Sequence, residues 1–339
     1  MQKTETILNV SPILENVRRE RMGASFCQLD LEGSLPQNQA VNDNSWFAFG
    51  RFEVEPGHFV NFLFHIMSMK MPLLGEVVQS LVTVFDETTG SYCAKDYLHP
   101  GRKVKIGETE FRLEVPCGRM SGDWNAMRIQ FEESGFRLDI TAAAIHYPIL
   151  IGANSVIDMC GMCIHEYSVP RMRVTGTLTL NGMSYDVADR GFVWFDRQWQ
   201  NINYFQSRMK WTWFSISLDN GEIYSIFDTD LPGWEDNVLA VLCPDGTQKN
   251  FRHFKPLVQQ ETEYWHSPAS KQTYPVRWKL ELAELGLNLS VVPIKKEQEI
   301  VSVLGELNKY EGCCTVEGTR NGVPVRGTAL VELIGHWKP

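Results

Sequence analysis

Residues 173–187 read RVTGTLTLNGMSYDV. Val174, Leu178 and Leu180 share one parity, and Thr175, Thr177 and Thr179 share the other. An extended strand would therefore carry an apolar face and a hydroxyl face. Asn181-Gly182 follow at once, the dipeptide that best supplies the two positive-φ residues of a tight hairpin. Asn220-Gly221, Asp245-Gly246 and Asn321-Gly322 punctuate other strand-like runs in the same way. Near the C-terminus GCCTVEGTRNGVPVRGTALVEL repeats the pattern. Helical periodicity is confined to two candidate stretches, 11–21 and 74–83. The spacing predicts an all-β protein.

Working outward, similar segments recur in the same order. SWFAFGRFEVEPGHFVNFLFHI from Ser45 resembles TWFSISLDNGEIYSIFDTD from Thr212. LVTVFDETTGSYCAKDYLHPG then parallels VLAVLCPDGTQKNFRHFKP, and Trp124 with MRIQFEESGFRLDITA parallels Trp278 with KLELAELGLNLSVV. This order predicts two similar β-domains, each with roughly eight to ten strands and so able to close as an antiparallel barrel. Pro170 in EYSVPRM places the expected boundary there, giving domains 1–170 and 171–339. A length of 339 residues also exceeds what one hydrophobic core usually serves.

With 43% hydrophobic and 22% charged residues the composition is that of a soluble globular chain. The formal net charge of −9 argues against nucleic acid or an anionic membrane surface as partner. No apolar run approaches the roughly 18 residues of a membrane span, so no stable membrane insertion is expected. The opening MQKTETILNVSPILENVRRERMG lacks the apolar segment of a signal peptide. The 8 cysteines show no framework spacing. Together these point to the cytoplasm. HExxH, GxSxG, P-loop and dinucleotide-binding motifs are missing, which removes support for hydrolases and nucleotide enzymes of those types.

IHEYSVPRMRVTGTLTLNGMSYDVADRGFVWFDRQW (164–199) resembles the central block of the lipocalin-like carotenoid 1,2-hydratase (hydroxyneurosporene synthase)/AttH superfamily. KWTWFSISLDNGE, YPVRWKLEL and YEGCCTVEGTRNGVPVRGTALVELIGH are similar to its flanking segments, so the likeness runs from about Trp46 to His336. The resemblance implies two lipocalin-like β-barrel domains, as in the Diels-Alderases and terpenoid cyclases related to it in fold. It also implies a greasy polyene-like substrate and, as a rule, no redox cofactor. Two departures stand out. Where the family commonly has Asp-His-Glu-Trp, this chain has Asp196-Arg197-Gln198-Trp199, without the histidine. Its Tyr-Trp-Glu-Gly is Lys309-Tyr310-Glu311-Gly312, which keeps only the glutamate of the central pair.

Within GFVWFDRQWQ (191–200), alternation would put Phe192, Trp194, Asp196 and Gln198 on one face, and Phe195, Arg197 and Trp199 on the other. A carboxyl in aromatic, dry surroundings is desolvated and tends to keep its proton, so Asp196 is a candidate acid. Indole faces beside it could stabilise a developing carbocation. The alternative is structural, with Asp196 joined to Arg171 or Arg190. His165 and Tyr167 are candidate acid/base or hydrogen-bonding groups, or else packed interface residues. Tyr310 and Glu311 carry the same two readings. Trp46, Trp194, Arg197, Gln198, Trp199, Trp211, Trp213 and Tyr310 are candidate substrate contacts; Trp46, Phe47, Trp211, Trp213 and Phe214 read first as core. Met67, Met69 and Met71 form an alternating row, either core or an adaptable apolar wall. Cys160-Gly-Met-Cys163 with His165 lacks the second ligand pair that a zinc site uses, so no metal is expected.

The resemblance implies the substrate class, a hydrophobic polyene, terpenoid or polyketide, and the absence of a redox cofactor; with the acid and aromatic residues above, the expectation is a cofactor-independent cyclase or isomerase working by acid catalysis and substrate folding in a pocket in or between the barrels. The alternatives are a hydratase adding water to a C=C bond and a non-catalytic carrier of lipid or pigment. Oligomeric state is not legible.

Overall fold

In the computed structural model of the chain, residues 31, 33–202, 209–229, 237–252, 263–304 and 308–337 are described, together with the backbone of residues 4–9. β1 (Thr4–Asn9) comes first, followed by a meander of β2 (Asp43–Glu55), β3 (His58–Met71), β4 (Gly75–Asp86) and β5 (Ser91–Pro100). The short β6 (Lys105–Ile106), β7 (Arg112–Val115) and β8 (Gly118–Ser121) lead to the hairpin β9 (Met127–Glu133) and β10 (Phe136–Ala143). Next are β11 (Ile149–Leu150), β12 (Val156–Met159), the long β13 (Met162–Leu180), β14 (Met183–Asp186) and β15 (Gly191–Gln200). A second meander contains β16 (Trp211–Leu218), β17 (Ile223–Thr229), β18 (Val238–Leu242) and β19 (Thr247–Arg252). β20 (Glu263–His266), β21 (Thr273–Leu282), β22 (Leu287–Pro293), β23 (Glu299–Ile300), β24 (Lys309–Arg320) and β25 (Val323–Ile334) complete the series. Among the described residues there is no α-helix.

The fold is all-β, two antiparallel sheets making two lipocalin-like barrel domains. One sheet runs β5-β4-β3-β2-β15-β13-β10-β9-β8-β7-β6, and the other runs β1-β19-β18-β17-β16-β25-β24-β22-β21-β20. Eight consecutive strands correspond: β5-β4-β3-β2-β15-β13-β10-β9 matches β19-β18-β17-β16-β25-β24-β22-β21. In the first sheet, Phe62 and Phe64 of β3 meet Phe131 of β9 at 5.7 and 5.2 Å between ring centroids. Strands far apart in sheet order thus share one interior, which shows how strongly the sheet curls. In the second, Phe214 of β16 meets Trp278 of β21 at 5.8 Å within a core that also holds Tyr224, Tyr274 and Tyr310.

Asn181-Gly182 and Asn321-Gly322 form two-residue hairpin turns with both φ positive, joining Leu180↔Met183 and Arg320↔Val323. The helix expected at 74–83 is instead strand β4; it is buried on both faces from Val78 to Asp86, so its apolar run lost the alternation that marks a half-buried strand. The other helical stretch, 11–21, lies outside the described residues.

Compact units divide differently from 1–170 and 171–339. One comprises 11–148 and 164–202; the other comprises 1–10, 149–163 and 203–339. Residue 170 falls inside β13, where the register shifts between Val169 and Met172 and Arg171 has φ 46°. Pro170 marks a β-bulge, a place where a strand tolerates a missing N–H, and not a linker. Segment 149–163 is tied to β19 by side chains: Gln248 and Asn250 accept from the backbone N–H groups of Leu150 and Ala153, and Arg252 donates to Val156 O.

The internal repeat is real but slipped by one residue at its Trp-Phe signature. Gly191 of β15 pairs with Phe52, and Gly327 of β25 pairs with Leu218. A Cβ at either glycine would collide with the carbonyl oxygen of Arg51 or Ser217, so both are places where two backbones approach too closely for a side chain. Counting back along β2 and β16 from these pairs, Phe47 corresponds to Trp213, not to Phe214. A one-residue slip exchanges the faces of a strand. Accordingly Phe214 lies in the second core, whereas Phe47 lies on the face opposite its own core residues Trp46 and Ala48.

Candidate functional site

In the first unit, β15 lies between β2 and β13, and the alternation read from the sequence holds. Asp196 is opposed by Phe47 on one side and Ser168 on the other. Directly opposed residues of an antiparallel pair share a face. Asp196 is buried, and its Oδ1 accepts from Trp194 Nε1 at 2.7 Å. Trp194 stacks on Phe49 at 5.9 Å. Farther across the same face Phe47 meets His65 edge-on at 5.0 Å, and Ser45 Oγ lies 2.7 Å from His65 Nε2. His65, which the sequence did not single out, therefore shares a face with Asp196 from two strands away. Of the arginines considered as partners of Asp196, Arg190 donates to Val54 O, and Arg171 lies over the Phe192 ring at 5.1 Å.

The other face of β15 carries Arg197, which is fully buried. Its five N–H donors all meet oxygen: Nε donates to Ser34 O, Nη1 to Ser45 O and Gln198 O, and Nη2 to Pro36 O and Asn44 Oδ1. The guanidinium lies 4.5 Å from the Trp46 ring centroid and 5.0 Å from that of Trp199. Burial pushes its pKa down, and five oxygen dipoles hold the charge against that pressure. This accounts for a guanidinium among aromatics: it clamps segment 34–36 onto β2 and β15. Trp46 Nε1 donates to Leu35 O at 2.7 Å, and Tyr167 hydroxyl donates to Leu31 O at 3.1 Å, closing the same end. His165 stacks on Trp199 at 5.3 Å, and burial lowers its pKa toward the neutral ring. Gln198 donates to Gln200, which donates to Asp43. Trp46, Tyr167, Arg197 and Trp199 are thus joined as one packed cluster, separate from Asp196 by the thickness of the strand.

In the second unit the corresponding strand pair is β24 and β25. Five residues beyond its glycine, β15 has Asp196 and β25 has Glu332; the segments read RGFVWFD and RGTALVE. Across the ladder, Ser168 opposes Asp196, and Glu311 opposes Glu332. The second barrel therefore presents two carboxyl groups where the first presents a hydroxyl and a carboxyl.

Glu311 is buried, and neither of its carboxyl oxygens has a hydrogen-bond partner. Lys309 Nζ lies 3.5 Å from Glu311 Oε1 and 3.3 Å from Glu332 Oε2. Trp211 Nε1 donates to Glu332 Oε1 at 2.8 Å. Burial, then the like charge of Glu332, pushes the Glu311 pKa well above the ordinary glutamate range; the two glutamates raise that of Lys309 against its burial. Burial beside a second carboxyl group thus favours the protonated form of Glu311. Trp213, opposite Glu332, stacks on Phe227 at 6.0 Å and donates to Ser225 Oγ at 3.0 Å. Tyr310 points to the other side, into the core beside Tyr274 at 5.6 Å.

The structure thus gathers Glu311, Trp211 and Trp213 at one centre and Asp196 with Trp194 at another. Lys309 and Glu332 were missed; the repeated Arg-Gly before Asp196 and Glu332 was the signal that could have found the latter. Cys160 and Gly161, with φ 55° and 79°, form the tight β12–β13 turn, so the Cys-x-x-Cys spacing is hairpin geometry. Among the described residues no group of three or more metal-ligating side chains is assembled. No helix there is long and apolar enough to cross a membrane.

A family profile described as AttH-like matches residues 75–336, most of the chain. The chain belongs to the AttH-like family. Among solved structures, a putative AttH from Nitrosomonas europaea superposes with a TM-score of 0.78 and 19% identity, covering 91% of this chain and 97% of that one. Kievitone hydratase from Nectria haematococca superposes with a TM-score of 0.75 and 20% identity, over 93% and 94% of the two chains. CghA gives 0.53 and 10%, over 98% of each. At these identities the likenesses establish the shared fold. Comparison with curated proteins finds no match. Within the AttH-like fold of this chain, β13–β15 and β24–β25 are the strand pairs that bear the two carboxyl centres.

Proposed function

We propose that this AttH-like protein is an acid–base enzyme acting on a hydrophobic, unsaturated substrate of polyene, terpenoid or polyketide type, which it cyclises, isomerises or hydrates. One observation carries the reading: the buried Glu311 carboxyl, directly opposed to Glu332 across the ladder, with the Lys309 ammonium 3.5 Å from one of its oxygens. A protonated carboxyl of this kind can deliver a proton to a C=C bond at neutral pH, and positioned acids of this sort contribute about 10²–10⁴-fold. Glu311 is assigned the role of donor. Asp196, as an acceptor for Trp194 Nε1, is assigned the role of fixing that indole. Support for the substrate class comes from the apolar surroundings of both carboxyl groups and from the hydratase among the structural neighbours.

Metabolite comparison tests this. A host lacking the gene is complemented with wild type or with Glu311→Gln, and apolar extracts are compared by mass spectrometry. A precursor should accumulate in the deletion and the Gln strains alike. Its mass names the reaction: equal to the normal product for ring closure or isomerisation, lighter by one water for hydration. Full restoration by the Gln protein removes Glu311 as the acid and favours the carrier reading.

A further inference from the structure

Resting on that reading, we infer that Glu332 is the proton acceptor that completes the cycle, that Lys309 is the residue positioning it, and that the site takes a substrate uncharged at its reacting end. Glu311 and Glu332 are directly opposed on β24 and β25, and Lys309 reaches both. One lysine shared by two carboxyl groups leaves the centre neutral when one of the two keeps its proton. Among the described residues, the ladder neighbours on this face add none: β16 contributes Trp211, Trp213 and Ser215, β17 Ser225, Phe227 and Thr229, β23 Ile300, β24 Cys313, and β25 Leu330 and Ile334. A phosphate or carboxylate entering such a dry, neutral centre would lose its hydration with no uncommitted cation among these groups to replace it.

The proton balance follows from the pairing. The π electrons of the substrate take the proton of Glu311, leaving a carboxylate and a carbocation. Glu332 then takes a proton, either from carbon next to the cation, whose C–H pair becomes a new C=C bond, or from a water that has added to it. Transfer from Glu332 to Glu311 restores the start. No oxidant or reductant enters, and Lys309 stays within reach of both carboxyls throughout.

Carboxyl-¹³C glutamate labelling of the full chain, followed by NMR titration, tests the pairing without a substrate. Glu311→Gln assigns the resonance. In Glu332→Gln, loss of the like charge should move the titration of Glu311 to lower pH; in Lys309→Met it should move to higher pH. The Gln side chain at 332 keeps an oxygen for Trp211, so folding is spared. In the metabolite assay Glu332→Gln should lose turnover by about 10²-fold or more. An unchanged Glu311 titration in Glu332→Gln overturns the pairing. Full turnover in Glu332→Gln alongside loss in Glu311→Gln overturns the role of Glu332 alone. Unchanged metabolites in both variants overturn the functional reading itself.

Discussion

Replacing Arg197 by Met removes a buried cation whose five donors all meet oxygen. The acceptors in segment 34–36 can turn toward water, and Asn44 Oδ1 keeps the Asn38 N–H, but Ser45 O lies in the buried part of the cluster. An acceptor stranded there costs about 1–3 kcal/mol. The contacts with Trp46 and Trp199 add roughly 0.5–1 kcal/mol each. Relief from burying the charge offsets part of this, leaving a loss of about 3 kcal/mol, the lower end of the range for breaking a buried charged cluster. For a domain of this size each kcal/mol lowers Tm by about 2–4 °C, so calorimetry should show a drop of roughly 10 °C. Arg197→Lys, with three donors in place of five, should fall between. A substrate-binding arginine would behave oppositely, since its removal usually leaves stability unchanged or improved. If Arg197→Met unfolds within about 1 kcal/mol of wild type, the clamp is wrong.

Three other outcomes follow from the same geometry. Gly191→Ala and Gly327→Ala should each cost about 1–3 kcal/mol in denaturant titration, because the added methyl meets a backbone carbonyl that strand pairing holds in place. For Glu311, folding raises the pKa of an acid, so its stabilisation is full below the ordinary glutamate range and is lost as pH rises through the folded value; Glu311→Gln should therefore gain stability relative to wild type as pH increases through neutrality. Asp196→Asn keeps an oxygen for Trp194 Nε1 and should retain turnover within about threefold, whereas Asp196→Leu should lose it; a large loss in the Asn protein would return Asp196 to the role of acid.

Much of this was legible in the chain. Asn-Gly pairs fix two-residue hairpins through local backbone sterics alone, so 181–182 and 321–322 were readable without any tertiary information. Alternation in GFVWFDRQWQ correctly separated Asp196 from Arg197. What failed did so for identifiable reasons. β4 is covered on both sides, which erases period 2 and leaves an apolar run without a signature. Pro170 satisfies both a linker and a bulge, and only the ladder across Val169 and Met172 distinguishes them. The two Trp-Phe pairs matched by residue type while the register was set elsewhere, at Gly191 and Gly327. Lys309, Glu311 and Glu332 meet through the pairing of β24 with β25, which local pattern suggests but does not dictate. The clamp on Arg197 depends on residues 34–45, more than 150 positions away in sequence.

Isotope transfer shows whether Glu311 delivers the proton. Apolar extract from the deletion strain would be incubated in deuterium oxide with purified wild type or Glu311→Gln, and the product analysed by mass spectrometry. Delivery of a solvent-exchangeable proton by Glu311 predicts carbon-bound deuterium in the wild-type product and none above background with the Gln protein. Equal deuterium incorporation by both proteins would contradict it.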